Sequence, residues 1–186
     1  MAIDKIIEIN PNMKSQTRIF IIGMPGSGKT TWGKRLANKL GFNFIDLDKE
    51  IENYFGQTTD VIFEKFGEER FRETEKSILH NTLKYNNTII SCGGGAPCFF
   101  DNINWMNKHG LTVYFCASSS LIFDRVSQNY NHRPLLKGLK PADLKNKLAE
   151  MLTQREAFYT KAQLQIKVPL KSLQALIQIV SSRISI

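Results

Sequence analysis

The segment RIFIIGMPGSGKTTWGKRLA, Arg18 to Ala37, constrains this chain more than any other. The apolar run Ile19 to Ile22 has the character of a buried strand, and from Lys29 onward helix formers recur at helical spacing. Between them Gly23, Gly28, Lys29 and Thr30 satisfy the pattern G-x-x-x-x-G-K-[ST] in full. Glycines let a backbone wrap a phosphate chain so that successive N–H groups point inward, and the helix N-terminus adds positive partial charge. The lysine then reaches the β- and γ-phosphates, and the hydroxyl of Thr30 ligates Mg²⁺. A glycine-rich turn that merely happens to carry a lysine is the plainer alternative. The strand before it and the helix after it favour a nucleotide phosphate site.

The chain of 186 residues is long enough for one domain with a sizeable core and too short for two. No apolar run approaches the roughly 20 residues of a membrane span. The first sixteen residues carry an acid at Asp4 and no small-residue cleavage site after an apolar stretch. They read as an extension, 1–16, ahead of a single domain, 17–186, not as a signal peptide. Cys92, Cys98 and Cys116 form no C-x-x-C pair, and two of them lie in apolar strand-like runs where a thiol behaves as a small hydrophobe. A reducing, cytoplasmic setting is expected. His80, His109 and His132 show no metal-ligand spacing, so no transition metal is expected. The net charge of +8, from 25 Lys+Arg against 17 Asp+Glu, raises nucleic acid as a partner. The basic residues are dispersed, with no run of five or six like charges, so a field that attracts small polyanions is the better reading.

Strand and helix patterns alternate along the rest of the chain. Phe42 to Asp48 reads as a second strand ending in two acids. A helical region follows, with breaks at Gly56 and Gly67 and an amphipathic run from Glu68 to Lys84. Thr88 to Cys92 is a buried strand running into Gly93-Gly94-Gly95, and a helix around Asn102 to Lys108 leads to a strand at Leu111 to Cys116. Ser118 to Ser120 can cap the helix containing Arg125. Periodicity fails from Gln128 to Lys140, which holds Asn129, Asn131, Pro134 and Gly138. Pro141 opens a helix to about Thr160, and the strand QIKV and a helix from Ser172 complete the chain. This order predicts an α/β fold of three layers around a five-stranded, mostly parallel sheet. In such sheets ligands bind beyond the carboxyl ends of the strands, where GMPGSGKT, DLD and GGG would all emerge.

Asp46 and Asp48, two apart on an extended segment, would point the same way. Together they could hold Mg²⁺ through water and take a proton from an attacking hydroxyl, or one could simply cap the next helix. Arg72 and Glu75 share a helix face, which a surface ion pair would also explain. Gly93, Gly94 and Gly95 are either a turn or a place where backbone approaches a ligand. Arg133 and Arg155, each taken alone, could be solvated surface bases.

Together these residues resemble the shikimate kinase family from about Thr17 to Ser182. The phosphate-loop motif is shared with many kinases. The specific set is FIDLD at Phe44 to Asp48, FRETE at Phe71 to Glu75, GGG at Gly93 to Gly95, RPLL at Arg133 to Leu136 and REAFY at Arg155 to Tyr159. Cys92 stands where the family usually has threonine or another small residue, a mild departure.

The resemblance implies a P-loop kinase fold with a mobile lid at about 128–140. It implies transfer of the γ-phosphoryl of ATP to the 3-hydroxyl of shikimate by a monomer, with Mg²⁺ and without nucleic acid or membrane. Lys29, Asp48 and Arg133 would be catalytic. ATP would be held by Gly26, Ser27, Gly28, Lys29, Thr30, Thr31, Arg125 and Arg133, with Arg125 packing on adenine. Shikimate would be held by Asp48, Arg72, Gly93, Gly94, Gly95 and Arg155, with Glu75 orienting the arginines. Thr30, and Asp46 through water, would hold Mg²⁺. Arg133 is expected to stand away from the phosphates until the lid closes. A gluconate or nucleoside monophosphate kinase is the nearest alternative, and a non-catalytic ligand sensor built on a kinase-like domain is another. The FRETE, GGG and RPLL set argues against the first, and the presence of Lys29, Asp48 and Arg155 against the second.

Overall fold

The computed structural model describes residues 17–130 and 133–184. The expected extension 1–16 and two positions of the expected lid, 131 and 132, lie outside them. Five strands form one sheet: β1 (Arg18–Ile22), β2 (Asn43–Asp46), β3 (Thr88–Ser91), β4 (Leu111–Cys116) and β5 (Leu164–Lys167). Their order is β2-β3-β1-β4-β5, and every neighbouring pair is parallel. Parallel strands need long crossovers, which here are helices: α1 (Lys29–Leu40), α2 (Leu47–Phe55), α3 (Thr59–Asn81), α4 (Asn102–His109), α5 (Ser119–Val126), α6 (Pro141–Tyr159) and α7 (Leu173–Ser181).

Every residue of β1 and β3 is buried, so both faces of the sheet centre are covered and the fold has three layers. Ile19, Ile21, Ile22, Ile89 and Ile90 are fully enclosed there. Each contributes about 1.5–3 kcal/mol relative to an exposed side chain. The edge strand β5 alternates buried and exposed positions instead. Among the described residues no helix is long and apolar enough to cross a membrane.

Local signals set the element ends. Gly56 closes α2 in the left-handed conformation, and Gly67, at φ 77°, interrupts the helical dihedrals of α3. The Ser118 and Ser172 hydroxyls accept from the N–H groups of Leu121 and Ala175, capping α5 and α7.

The expected strand Phe42 to Asp48 is shorter than its sequence suggests. Asp46 is the last extended residue, and Asp48 lies in the first turn of α2. Leu47 is buried as the first residue of that helix, and carboxylates in a first helical turn suit the dipole. Asp46 and Asp48 therefore belong to different elements and do not share a strand face. The segment after α5 is folded into successive turns, with Arg133 N–H bonded to Tyr130 O and Lys137 N–H to Arg133 O, both at 2.9 Å. Leu136 is buried, the Tyr130 hydroxyl donates to Leu139 O, and Lys137 pairs with Glu64 of α3 at 3.7 Å.

Candidate active site

The loop between β1 and α1 is the first component. Gly28 holds φ 96°, a left-handed geometry that side chains resist, and it turns the chain into the start of α1. Lys29 folds back across the loop and donates to Gly23 O (2.8 Å) and Met24 O (2.9 Å). Burial lowers its ammonium to about 8, against the opposing pull of Asp48. A cavity of about 440 Å³ opens here, lined by Gly26, Gly28, Lys29, Thr30, Thr31, Arg125 and Arg133 among others. Ser27 is buried and its N–H makes a turn to Met24 O (3.2 Å). The Arg125 guanidinium donates to Gly26 O at 2.9 Å on the solvent side.

The ends of β1, β2 and β3 meet at Thr30. Its hydroxyl donates to Asp46 Oδ2 at 2.8 Å and lies 3.3 Å from Ser91 Oγ. Among the described residues no group of three or more His, Cys, Asp or Glu could hold a metal by itself. The oxygen set at Thr30 and Asp46 instead fits a hard cation that keeps several waters and takes its other ligands from substrate phosphates.

A second cavity, of about 140 Å³, lies beside the first and is lined by Asp48, Arg72, Glu75, Gly93, Gly94, Gly95, Arg133 and Arg155, with Phe63, Phe71 and Met151 as apolar surface. Arg72 is buried on α3 and held from two sides. It donates to Glu75 Oε2 at 2.7 Å and to Glu68 Oε1 at 2.9 and 3.1 Å, with its guanidinium carbon 4.5 Å from the Phe99 ring centroid. The three glycines after β3 each lie against charged side chains of this cavity. A Cβ on Gly93 would stand 2.6 Å from Asp48 Oδ1, one on Gly94 3.1 Å from an Arg155 nitrogen, and one on Gly95 2.6–2.7 Å from the Arg72 guanidinium. The triplet is thus a close-contact surface for all three.

Burial raises the Asp48 carboxyl, and Asp46 pushes in the same direction. Burial likewise lifts Glu75 to about 7 in spite of Arg72. Its Oε1 is enclosed without a hydrogen-bond partner among the described residues, 2.9 Å from the Cβ position of Gly93. The Cys92 thiol, enclosed beneath the site, is pushed well up by burial and stays protonated.

The structure brings the expected residues together. Gly26, Gly28, Lys29, Thr30, Thr31 and Arg125 line the first cavity, and Arg72, Gly93, Gly95 and Arg155 the second. Asp48, Arg133 and Gly94 line both. Ser27 lies under the loop and Asp46 reaches the site through Thr30. Arg133 does not stand away from the phosphate loop, because it lines both cavities, its Nε enclosed without a partner among the described residues.

Three contributors escaped sequence reasoning. Ser91, the last residue of β3 and two before Gly93, reaches Thr30. Trp32 lines the first cavity. Tyr159 is fully buried and donates to Gly94 O at 2.6 Å, with Met24 Sδ at 3.7 Å. It sits four residues after Arg155 on α6, so helical spacing could have paired the two. Nothing in the local sequence marks the other two.

The family model described as shikimate kinase matches residues 25–183. A shikimate kinase of Parabacteroides distasonis is 46% identical over 145 residues, 78% of this chain and 84% of that protein. The crystal structure of a shikimate kinase from Bacteroides thetaiotaomicron superposes with a TM-score of 0.83 at 37% identity, covering 91% of this chain and 99% of that one. A shikimate kinase from Acinetobacter baumannii in complex with shikimate gives 0.82 at 32% identity, covering 91% and 94%. With the match running over nearly the whole described chain, from the phosphate loop to the last helix, this chain belongs to the shikimate kinase family.

Proposed function

We infer that the protein is an ATP-dependent shikimate kinase, transferring the γ-phosphoryl of ATP to the 3-hydroxyl of shikimate. Membership of the family supports the activity, and one observation carries the assignment of residues. The nucleotide cavity and the smaller cavity meet at Asp48 and Arg133, which line both. A phosphoryl donor in one and an alcohol acceptor in the other would react across that junction.

Phosphoryl transfer relies on in-line positioning and charge neutralisation. The loop backbone and Lys29 hold the β- and γ-phosphates. Arg72 and Arg155 take the shikimate carboxylate, whose planar geometry matches a guanidinium fork, and the glycine triplet lets the ring approach. Asp48 accepts the proton of the acceptor hydroxyl as its oxygen bonds to the γ-phosphorus, and the bond to the bridging oxygen breaks to release ADP. Its raised pKa suits a group that must take and then give up a proton. Arg133 lies against the same junction and offsets charge on the transferring group. Thr30, and Asp46 through water, would hold Mg²⁺, which supplies further neutralisation of the phosphate charge. Arg125 packs on adenine, and the turns from 128 to 140 act as a lid that excludes water.

The test is ATP consumption with shikimate, quinate, gluconate and nucleoside monophosphates, each with and without Mg²⁺. Turnover is expected with shikimate and to depend on the cation. Equal or faster turnover with gluconate or a nucleoside monophosphate would sink the assignment.

A further inference from the structure

We propose that Trp32 is a nucleotide-binding residue of this chain, its indole forming with Arg125 the contact surface for the nucleoside end of ATP. The proposal rests on the reading of the larger cavity as the ATP site.

Trp32 is the fourth residue of α1, and its N–H donates to Gly28 O at 2.9 Å. Side chains on a helix lean toward its N-terminus, so the indole comes back over the turn that holds the phosphate loop. A Cβ on Gly28 would accordingly stand 3.1 Å from Trp32 Cδ1 and 3.6 Å from Nε1. From the other side, Arg125 of α5 brings a guanidinium nitrogen to 3.5 Å from the same point while donating to Gly26 O. An indole and a guanidinium therefore converge on one glycine from two separate elements. The Arg35 guanidinium carbon, one helical turn on, stands 5.2 Å from the Trp32 ring centroid and braces it.

The chemistry of the cavity assigns the contact. Lys29, Thr30 and the loop backbone are polar and suit the triphosphate. The nucleoside must extend away from them, and it needs flat, polarisable surface. Among the described residues lining this cavity Trp32 is the only aromatic one. A base or ribose packed on an aromatic ring gains without regard to hydrogen-bonding pattern. A Trp32 that merely covered the helix surface would make none of these nucleotide-dependent contacts.

The chain has two tryptophans, which makes the test direct. Trp105 is stacked on His80 and meets His109 at a tilt, at 4.3 and 4.4 Å between ring centroids, and does not line the cavity. Tryptophan emission of the full chain is followed while a non-hydrolysable ATP analogue, or inorganic triphosphate, is titrated, with binding heats measured in parallel. The analogue is expected to change the emission of the wild type and of Trp105→Phe but not of Trp32→Phe, and inorganic triphosphate is expected to change none of them. In steady state, Trp32→Leu should raise the KM for ATP about ten-fold. Its kcat and KM for shikimate should stay within about two-fold, and Trp32→Phe should restore most of the loss.

Binding heat without a change in Trp32 emission overturns the proposal and leaves the ATP site standing. An equal response to inorganic triphosphate also overturns it, since the indole would then report phosphates or loop order. Absence of binding heat overturns both readings. If the Trp32 variants do not fold, the wild-type and Trp105→Phe titrations decide the matter by themselves.

Discussion

The two cavities that meet at Asp48 are built on opposite plans. The larger one is lined chiefly by one contiguous stretch, Pro25 to Trp32, where glycine is required by the left-handed dihedrals of the loop. The smaller one is mostly side chains, drawn from α2, α3, the turns before α6 and α6 itself. There the glycines at 93–95 serve by lacking a side chain, so that Asp48, Arg155 and Arg72 can each sit against the loop. The same residue type is thus used to shape the chain in one cavity and to make room for side chains in the other. A contiguous backbone site is defined by local dihedrals. A side-chain site depends on how four elements dock.

The largest effects should come where the plans join. Asp48→Asn is expected to lower kcat by about 10² to 10⁴, the usual range for a general base, with ATP binding in the absence of shikimate nearly intact. Arg133→Ala should act in the same way, by about 10³, if its contact is made chiefly in the transition state. Near wild-type turnover in either variant, at saturating shikimate, would show that the junction is only a meeting of walls.

Next in size is a pair of glycine substitutions that separates the two plans. Gly95→Ala puts a methyl group into the Arg72 guanidinium, at a backbone position (φ −89°) that alanine accepts readily. Displacing a charge-assisted contact costs about 1.5–3 kcal/mol, so shikimate affinity should fall about 10- to 100-fold while ATP affinity holds. Gly28→Ala should do the reverse, because φ 96° strains any residue with a Cβ and the proposed phosphate contacts lie on this loop. Isothermal titrations with each ligand measure both. Parallel losses in the two titrations would erase the distinction drawn here.

A smaller effect is expected at Tyr159, which ties the glycine loop to α6 through Gly94 O. Tyr159→Phe removes one buried donor and leaves a carbonyl short of its partner, worth about 1 kcal/mol. The KM for shikimate should rise several-fold with the KM for ATP unchanged. A general loss of stability with both constants preserved would make Tyr159 a packing residue only.

The least effect on catalysis, and a distinct one on stability, is expected of Glu75. Burial raises its pKa from 4.5 to about 7 in the folded chain. The folded state therefore binds the proton more tightly than the unfolded state. The associated stability is fully present below about 4.5 and is lost as pH rises through about 7, amounting to at most about 3 kcal/mol. Denaturant unfolding between pH 4.5 and 8 should show the wild type losing stability relative to Glu75→Gln as pH rises. Curves that stay parallel would mean that Arg72 holds Glu75 ionised throughout.

The chain's own order of residues determined a good deal. The G-x-x-x-x-G-K-T pattern between an apolar run and a helical one already specifies a strand, an anion-binding turn and a helix, because each step depends on dihedrals of neighbouring residues. Alternating strand and helix patterns specify a parallel sheet for a similar reason, since parallel pairing needs a crossover at every step. Arg72, Arg133 and Arg155 were legible as members of one family's motifs, with REAFY placing Tyr159 beside Arg155 in advance of any known role.

What only the tertiary structure decided is how those pieces face one another. FIDLD reads as one extended segment, yet a helix starts inside it at the buried Leu47 and moves Asp48 off the strand. The strand order β2-β3-β1 brings Asp46, Ser91 and Thr30 within hydrogen-bonding distance, although 16 and 61 residues separate Thr30 from the other two. Arg125 lies 99 residues from Gly26, and the place where it meets Trp32 is set by the packing of α5 against the phosphate loop. Local pattern carries the dihedrals of a loop. Only the packed sheet and its helices carry the distances between side chains that the chain keeps far apart.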